Sequence, residues 1–212
     1  MGALFARCAT DATPRAPYHP HMNYNMFEGQ KVRLRGIRPE DWEHFLQWDL
    51  DNDAQRYGWN VWPPLGTEAA REFARQESAK RPDRDEFRLV IETLDGAPAG
   101  SLNVHGVDQR RGSFEYGIAL AREYWGNGYG EEAIGLLLRY MFGELRYHKV
   151  QAWVYAFNER SAAMHRKFGM VLEGTVRESH FTDGRYWDSY LFGMTRAEYE
   201  ETYGAHWGDL PR

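Results

Sequence analysis

The stretch Tyr124-Trp125-Gly126-Asn127-Gly128-Tyr129-Gly130-Glu131-Glu132-Ala133 decides how this chain is read. It follows an apolar strand pattern, Phe114 to Leu120. It precedes a long helix pattern in which Ala133, Ile134, Leu137, Leu138, Met141, Phe142 and Leu145 recur at helical spacing. Glycines let the backbone turn tightly and bring its N–H groups close to a ligand. The following helix adds unpaired first-turn N–H groups and the positive end of its dipole. Together these predict a site for a phosphate or pyrophosphate. The alternative is a glycine-rich strand-to-helix turn that binds nothing.

Spacing excludes two familiar phosphate loops. A P-loop needs Lys and then Ser/Thr after its last glycine. Here Gly130 is followed by Glu131 and Glu132, which would repel the outer phosphates. A dinucleotide fingerprint needs G-x-G-x-x-G inside a βαβ unit. Gly126 and Gly128 begin one, but Glu131 stands where the third glycine belongs. What remains is a loop that cradles a pyrophosphate through main-chain amides alone.

Composition sets the outer bounds. The 212 residues suffice for one domain with tails. Apolar residues are 42%, enough to build a core, and the 8 Trp and 13 Tyr are a surplus that suits a small-molecule or partner surface. A formal net charge of −5 argues against a general nucleic-acid binder and is compatible with a cationic or amine substrate. Cys8 is the only cysteine, so an intrachain disulfide and a cysteine-built metal site are both excluded, and a reducing, cytoplasmic setting is expected. No run approaches the roughly 18 apolar residues of a membrane span. The N-terminus lacks the apolar core of a signal peptide. Met1-Gly2 is followed by Ala6 where a myristoylation motif wants Ser or Thr.

Residues 1–28, with Pro14, Pro17 and Pro20, read as a flexible N-terminal arm, and Met22 or Met26 is a candidate start for the domain. Residues 29–204 read as a single domain and 205–212 as a C-terminal tail. Val32 to Arg35 alternates like a strand, and Pro39-Glu40-Asp41 opens a helix whose apolar face is Trp42, Phe45, Leu46 and Leu50. Tyr57 to Leu65 is an aromatic, proline-broken loop, and Thr67 is expected to cap a second helix. Strands are expected at Phe87–Leu94, Ala99–Val107, Phe114–Leu120, Lys149–Ala156, and about 172–181 and 186–194. Asn158 should cap a short helix that Gly169 stops, and Thr195 with Glu198 a last one. The order β-α-α-β-β-β-α-β-α-β-β-α predicts one mixed α/β sheet with helices on its faces.

Strand, glycine loop, helix, strand, then Asn158-Glu159-Arg160-Ser161 and Lys167-Phe168-Gly169-Met170, resembles the GNAT superfamily of acyl-CoA N-acyltransferases. Trp125-Gly126-Asn127-Gly128-Tyr129-Gly130 matches that family's Q/R-x-x-G-x-G/A motif, with Trp in place of the usual Gln or Arg. The Tyr-Trp-Gly-x-Gly-Tyr variant resembles the branch of ribosomal-protein alanine N-acetyltransferases and spermidine acetyltransferases. Gly174-Thr175-Val176-Arg177, Asp183-Gly184-Arg185, Asp188 and Glu198-Tyr199 point the same way. The resemblance covers roughly residues 30 to 200. It implies a central mixed, mostly antiparallel, twisted sheet of about seven strands with helices on both faces.

It also implies acetyl-CoA as donor and no metal. The amides of Gly126, Asn127, Gly128, Tyr129 and Gly130, with Trp125 at the motif's head, would hold the pyrophosphate. The backbone of Ile118, Ala119 and Leu120 would pair with the pantetheine arm, and Asn158 and Ser161 would flank it. The reaction needs a neutral amine, a stabilised oxyanion and a proton for the departing thiolate. Glu115 is the expected base, flanked in sequence by Phe114 and Tyr116, a setting expected to raise its pKa. Ser161 is the expected partner of the sulfur. His165, where many family members carry a Tyr general acid, is a second acid candidate and shares a helix face with Ser161. Each has a plainer reading: a solvent-facing strand residue, a first-turn serine, a helix histidine. Tyr57, Trp59, Trp62, Glu115 and His180 are the expected acceptor-side residues, with Asp183 and Asp188 as further candidates. The acceptor is a small-molecule amine or a protein N-terminus, with no direct nucleic-acid or membrane partner expected. The strands near the C-terminus suit a homodimer. The rival reading is a catalytically silent acyl-CoA-binding sensor, which would be expected to have lost Glu115 and the Ser161/His165 pair.

Overall fold

The computed structural model describes residues 25–58 and 60–204. Seven strands form one sheet in the order β1-β2-β3-β4-β5-β7-β6. They are β1 (Val32–Gly36), β2 (Phe87–Thr93), β3 (Pro98–Asp108), β4 (Ser113–Leu120), β5 (Lys149–Tyr155), β6 (Val171–Thr182) and β7 (Arg185–Thr195). Every neighbouring pair is antiparallel except β4 with β5. The helices are α1 (Trp42–Trp48), α2 (Asn52–Gly58), α3 (Thr67–Ala79), α4 (Tyr129–Leu138), α5 (Glu159–Lys167) and α6 (Arg196–Tyr203). The mixed, mostly antiparallel α/β sheet expected from the resemblance is the one found.

Strand alternation sorts the side chains between the two faces. Phe114 and Tyr116 of β4, Val150, Ala152 and Val154 of β5, and Leu102 and Val104 of β3 are buried in the main core with Ala133, Ile134, Leu137 and Leu138 of α4. The opposite face of β4 receives α2, where a Cβ on Gly58 would touch the Ala119 methyl at 3.5 Å. Phe27 packs against the core and its carbonyl accepts from the Leu34 amide at 2.8 Å. Contacts with the domain therefore begin inside the stretch read as an arm; residues 1–24, with Cys8, and 205–212 lie outside the described residues.

Three local readings are corrected. Thr67 is not the cap of α3: Gly66 is, and Thr67 is the first helical residue. Residues 52–58 form α2, which the sequence reading passed over; the Asp51 carboxylate accepts the Ala54 amide at 3.0 Å and starts it. The helix after the glycine loop widens to a π-helix over Arg139–Glu144, which carries the apolar stripe on to Met141 and Phe142.

Candidate active site

β4 and β5 pair only through Ser113–Lys149, Phe114–Val150 and Glu115–Gln151. Beyond that point β4 still pairs with β3 and β5 with β7, so the two strands part like a V. A cleft of 360 Å³ opens in the gap. Ala54, Tyr57 and Gly58 line it from α2, Ile118, Ala119 and Leu120 from β4, and Asn158, Arg160, Ser161 and Met164 from the start of α5. Among the described residues no strand pairs with the edge of β4 that faces away from β3 from Tyr116 onward, so its backbone groups can take an extended ligand. At Leu120 that edge closes, because the Trp125 indole N–H donates to the Leu120 carbonyl at 2.8 Å.

The glycine loop closes one end of the cleft. Gly126 and Gly128 have φ of +82° and +78°, a left-handed backbone that only glycine adopts cheaply. Gly128 caps α4, so the first-turn amides of that helix point out over the loop. Gly130 packs against Met164, Leu120 and Ile118 and leaves no side chain in the cleft. Trp125 forms a wall: Tyr57 meets it edge-on at 5.8 Å, and the Arg122 and Arg160 guanidinium groups lie over its ring at 5.2 and 4.8 Å. Arg160 thus brings a positive charge to the position where Trp125 replaces the family's Gln or Arg.

Two anchors of this loop have no motif of their own. The Lys31 ammonium donates to the Asn127 carbonyl at 3.1 Å, and a Cβ on Gly128 would lie 2.8 Å from it. A cation therefore stands directly over the loop. Glu132, almost wholly buried, accepts the amides of Gln30, Lys31 and Val32 at 2.9, 2.8 and 2.7 Å. That carboxylate fastens the segment carrying Lys31, just before β1, to the first turn of α4. Main-chain amides, a helix N-terminus, an unobstructed glycine and a lysine fit the pyrophosphate of a CoA thioester. Among the described residues no group of three or more His, Cys, Asp or Glu side chains could hold a metal ion.

Asn158 uses both ends of its amide. Its Oδ1 accepts the Ser161 amide at 3.0 Å, capping α5, and its Nδ2 donates to the Tyr57 carbonyl at 3.0 Å. It ties α5 to the end of α2 across the cleft. Ser161 lines the cleft one turn on. Glu115 sits at the apex of the V, with its side chain 30% exposed and its Oε2 3.8 Å from His105 Nδ1. It lies on the α2 face, whereas Ser161 comes from the α4 and α5 face. Phe114 and Tyr116, its neighbours in sequence, point the other way into the core. The aromatic setting expected around Glu115 is therefore absent: alternation along the strand puts sequence neighbours on opposite sides. Glu115 stands three residues, roughly 10 Å, along β4 from Ile118, the first β4 residue of the cleft lining.

His165 does not reach the cleft. It is 3% exposed, with Nδ1 2.7 Å from the Ser161 carbonyl and Nε2 2.8 Å from the Tyr116 hydroxyl. Both nitrogens are committed. Burial pushes its pKa down, against a smaller upward pull from the Ser161 carbonyl. A buried, neutral imidazole with no spare N–H does not fit the acid role read from the sequence.

On the acceptor side, Tyr57 lines the cleft. Trp62 is 58% exposed and away from it, its amide donating to Gln55. Trp59 lies outside the described residues. His180 is buried against the Tyr155 ring at 3.8 Å and beside Phe157 at 6.1 Å, so the Phe157 ring separates it from the cleft. Asp183 takes a φ of +52° in the β6–β7 turn, and Asp188 accepts the Glu178 amide at 2.9 Å. Both are engaged in shaping the hairpin. Lys31, Tyr116, Phe157 and Arg160 were missed. The fold brings Lys31 to the loop and Arg160 over Trp125, sets Phe157 in the cleft lining, and buries Tyr116 against His165.

This arrangement is that of an acyl-CoA-dependent acyltransferase. The model of the acetyltransferase (GNAT) domain family matches residues 31–171, and the chain belongs to that family. An N-acetyltransferase of Bacillus subtilis, prophage-derived YokL, described as uncharacterized, is 35% identical over 86% of this chain and 100% of its own. The spermidine N(1)-acetyltransferase of Escherichia coli K12 is 29% identical over 76% of this chain and 84% of its own. The solved structure of the Vibrio cholerae spermidine N-acetyltransferase with CoA and spermine superposes with a TM-score of 0.70 at 22% identity, covering 81% of this chain and 99% of that one. The chain is an acetyl-CoA-dependent N-acetyltransferase.

Proposed function

We propose that the acceptor is a primary amine that enters from the α2 face of the sheet and attacks directly, in a ternary complex. The observation that carries this is the parting of β4 and β5 after Glu115–Gln151, which opens the sheet to both faces. Acetyl-CoA supplies the activated thioester. The loop amides of residues 126–130 and Lys31 bind its pyrophosphate, and the bare edge of β4 from Tyr116 to Ala119 receives the pantetheine. Glu115 takes the proton of the incoming ammonium through an intervening water. Attack forms the N–C bond, and the nitrogen gives up its second proton to solvent as the tetrahedral intermediate collapses. As the C–S bond breaks, the Ser161 hydroxyl gives its proton to the sulfur and is reprotonated from solvent.

The cleft lining carries one carboxylate, Glu159, and one guanidinium, Arg160. That balance favours a singly charged amine, such as the α-amine of a peptide, over a polycation. The second reading, a polyamine, is favoured by the relative from Escherichia coli that is named for spermidine. The exposed Val171, Leu172, Val176 and Phe181 on the edge strand β6 support association with a second copy.

The test is mass spectrometry of the purified chain with acetyl-CoA and a panel of Ala-, Ser- and Met-starting peptides, polyamines, free amino acids and aminoglycosides. One acetyl group on the peptides is the expected result. Acetylated polyamines alone would establish the second reading. No product, with acetyl-CoA still raising Tm, would favour the silent sensor.

A further inference from the structure

We infer that His165 is a positioning residue, held by the buried hydroxyl of Tyr116, that keeps the Ser161 hydroxyl proton available to the cleft. The inference rests on the reading of Ser161 as proton donor to the sulfur.

The argument is one of counting protons. A carbonyl oxygen only accepts, so the 2.7 Å contact between His165 Nδ1 and the Ser161 carbonyl puts a proton on Nδ1. A neutral imidazole has one N–H, so Nε2 is bare and accepts from the Tyr116 hydroxyl at 2.8 Å. Burial favours the neutral form of both groups, pushing His165 down and Tyr116 far up. The ring cannot turn freely: it lies stacked between Tyr116, at 6.0 Å and 18°, and Phe192, at 5.5 Å and 24°.

Ser161 Oγ lies 3.3 Å from His165 Nδ1. Because Nδ1 already carries a proton and directs it to the carbonyl, Oγ cannot donate there. Its own O–H is left to point into the cleft that Ser161 lines. In the opposite tautomer Nδ1 would be bare and would capture the serine proton. That tautomer would cost the bond to the Ser161 carbonyl. It would also force the Tyr116 hydroxyl to accept, leaving its proton only Met170 Sδ at 3.9 Å. Tyr116 and the Ser161 carbonyl therefore select the same tautomer from opposite ends of the ring, and that tautomer frees the serine. The three residues come from β4 and α5, 49 positions apart at the Tyr116–His165 contact.

The tautomer is read directly by ¹⁵N NMR of the full chain labelled at histidine. The expected spectrum shows His165 neutral at neutral pH with the proton on Nδ1. A proton on Nε2, or an imidazolium, would overturn the inference without any variant being made. Kinetics give the second arm. His165→Asn retains an N–H near the Nδ1 position and should keep most of the wild-type kcat. His165→Gln moves the N–H away from the Nδ1 position and leaves an amide oxygen free to accept the Ser161 hydroxyl, so it should lower kcat about tenfold, with KM for acetyl-CoA unchanged. In a Ser161→Ala background, itself slowed about 10²-fold, His165→Gln should have no further effect. Equal losses in the Asn and Gln variants, or full additivity with Ser161→Ala, would show that His165 serves packing alone. A Ser161→Ala enzyme with wild-type kcat would instead remove the role of Ser161, a separate failure.

Discussion

Glu115 on β4 and Gln151 on β5 are the last residues to face each other across the parallel pair. Three residues further on the strands have separated enough to admit a ligand, and the cleft begins at Ile118. Glu115 thus stands at the hinge of the opening, on the face from which the amine is proposed to arrive. Glu115→Gln keeps the shape and removes the base. The expected outcome is a kcat lower by about 10²-fold at neutral pH, with KM for acetyl-CoA unchanged. Steady-state rates at saturating acceptor check this. Wild-type turnover across the neutral range would remove Glu115 from the mechanism.

Gly128→Val tests the cradle. The residue has φ +78°, and a Cβ there would lie 2.8 Å from the Lys31 ammonium. A left-handed non-glycine costs about 1–2 kcal/mol, more with a branched Cβ, and the side chain fills the approach of the phosphate. KM for acetyl-CoA should rise by about tenfold or more. Lys31→Ala should weaken acetyl-CoA by roughly tenfold as well, through loss of a charge-assisted contact. Its deficit should shrink as salt is added, because screening weakens the wild-type contact too. Titration of Tm with acetyl-CoA at two ionic strengths separates the two effects.

Glu132→Ala removes a carboxylate that accepts three backbone amides in a nearly buried site. Three donors then lose their partner together. We expect a loss of about 2–4 kcal/mol in urea unfolding. Weaker acetyl-CoA binding should accompany it, since the segment carrying Lys31 is released.

The Arg35 cluster sets an acid limit. Glu92 is 1% exposed and pairs with Arg33 at 2.6 Å and with Arg35, which also binds Asp41 through two bonds of 2.8 Å. Burial opposes ionisation of Glu92 but is outweighed by the bonds from Arg35 and Arg33, so its pKa falls below the usual range. Asp41 is lowered the same way, burial being outweighed by Arg35 and the Arg38 amide. A carboxylate depressed in the folded state stabilises the protein fully above its unfolded pKa, about 4. That stability is lost as pH falls through the lower folded values. Stability measured from pH 5 downward should therefore fall more steeply in wild type than in Glu92→Gln, which is less stable at pH 7 but flatter.

Much of this site was legible in the sequence because its signals are local. A glycine loop before an apolar helix, Asn158 three residues before Ser161, and the Thr195–Glu198 box each specify a turn or cap by short-range hydrogen bonds. What was not legible depends on strands meeting across the sheet. Glu115 between two aromatics looked hydrophobic along the chain, yet those rings face away. The four-residue spacing of Ser161 and His165 predicted one helix face, and the two do touch. Only the fold, however, brings Tyr116 against Nε2 and turns a candidate acid into a buried neutral ring. Lys31 carries no motif because its role comes from Glu132, about a hundred residues away, holding its backbone in place.

The claim at the centre of this account is direct transfer from acetyl-CoA to an amine held at the parting of β4 and β5. It is tested most directly by initial velocities with both substrates varied, using the acceptor found in the panel, alongside the intact mass of the enzyme after acetyl-CoA alone. The account predicts intersecting double-reciprocal lines and an unchanged protein mass. Parallel lines together with an enzyme that gains one acetyl group would contradict it and place a covalent carrier in the path.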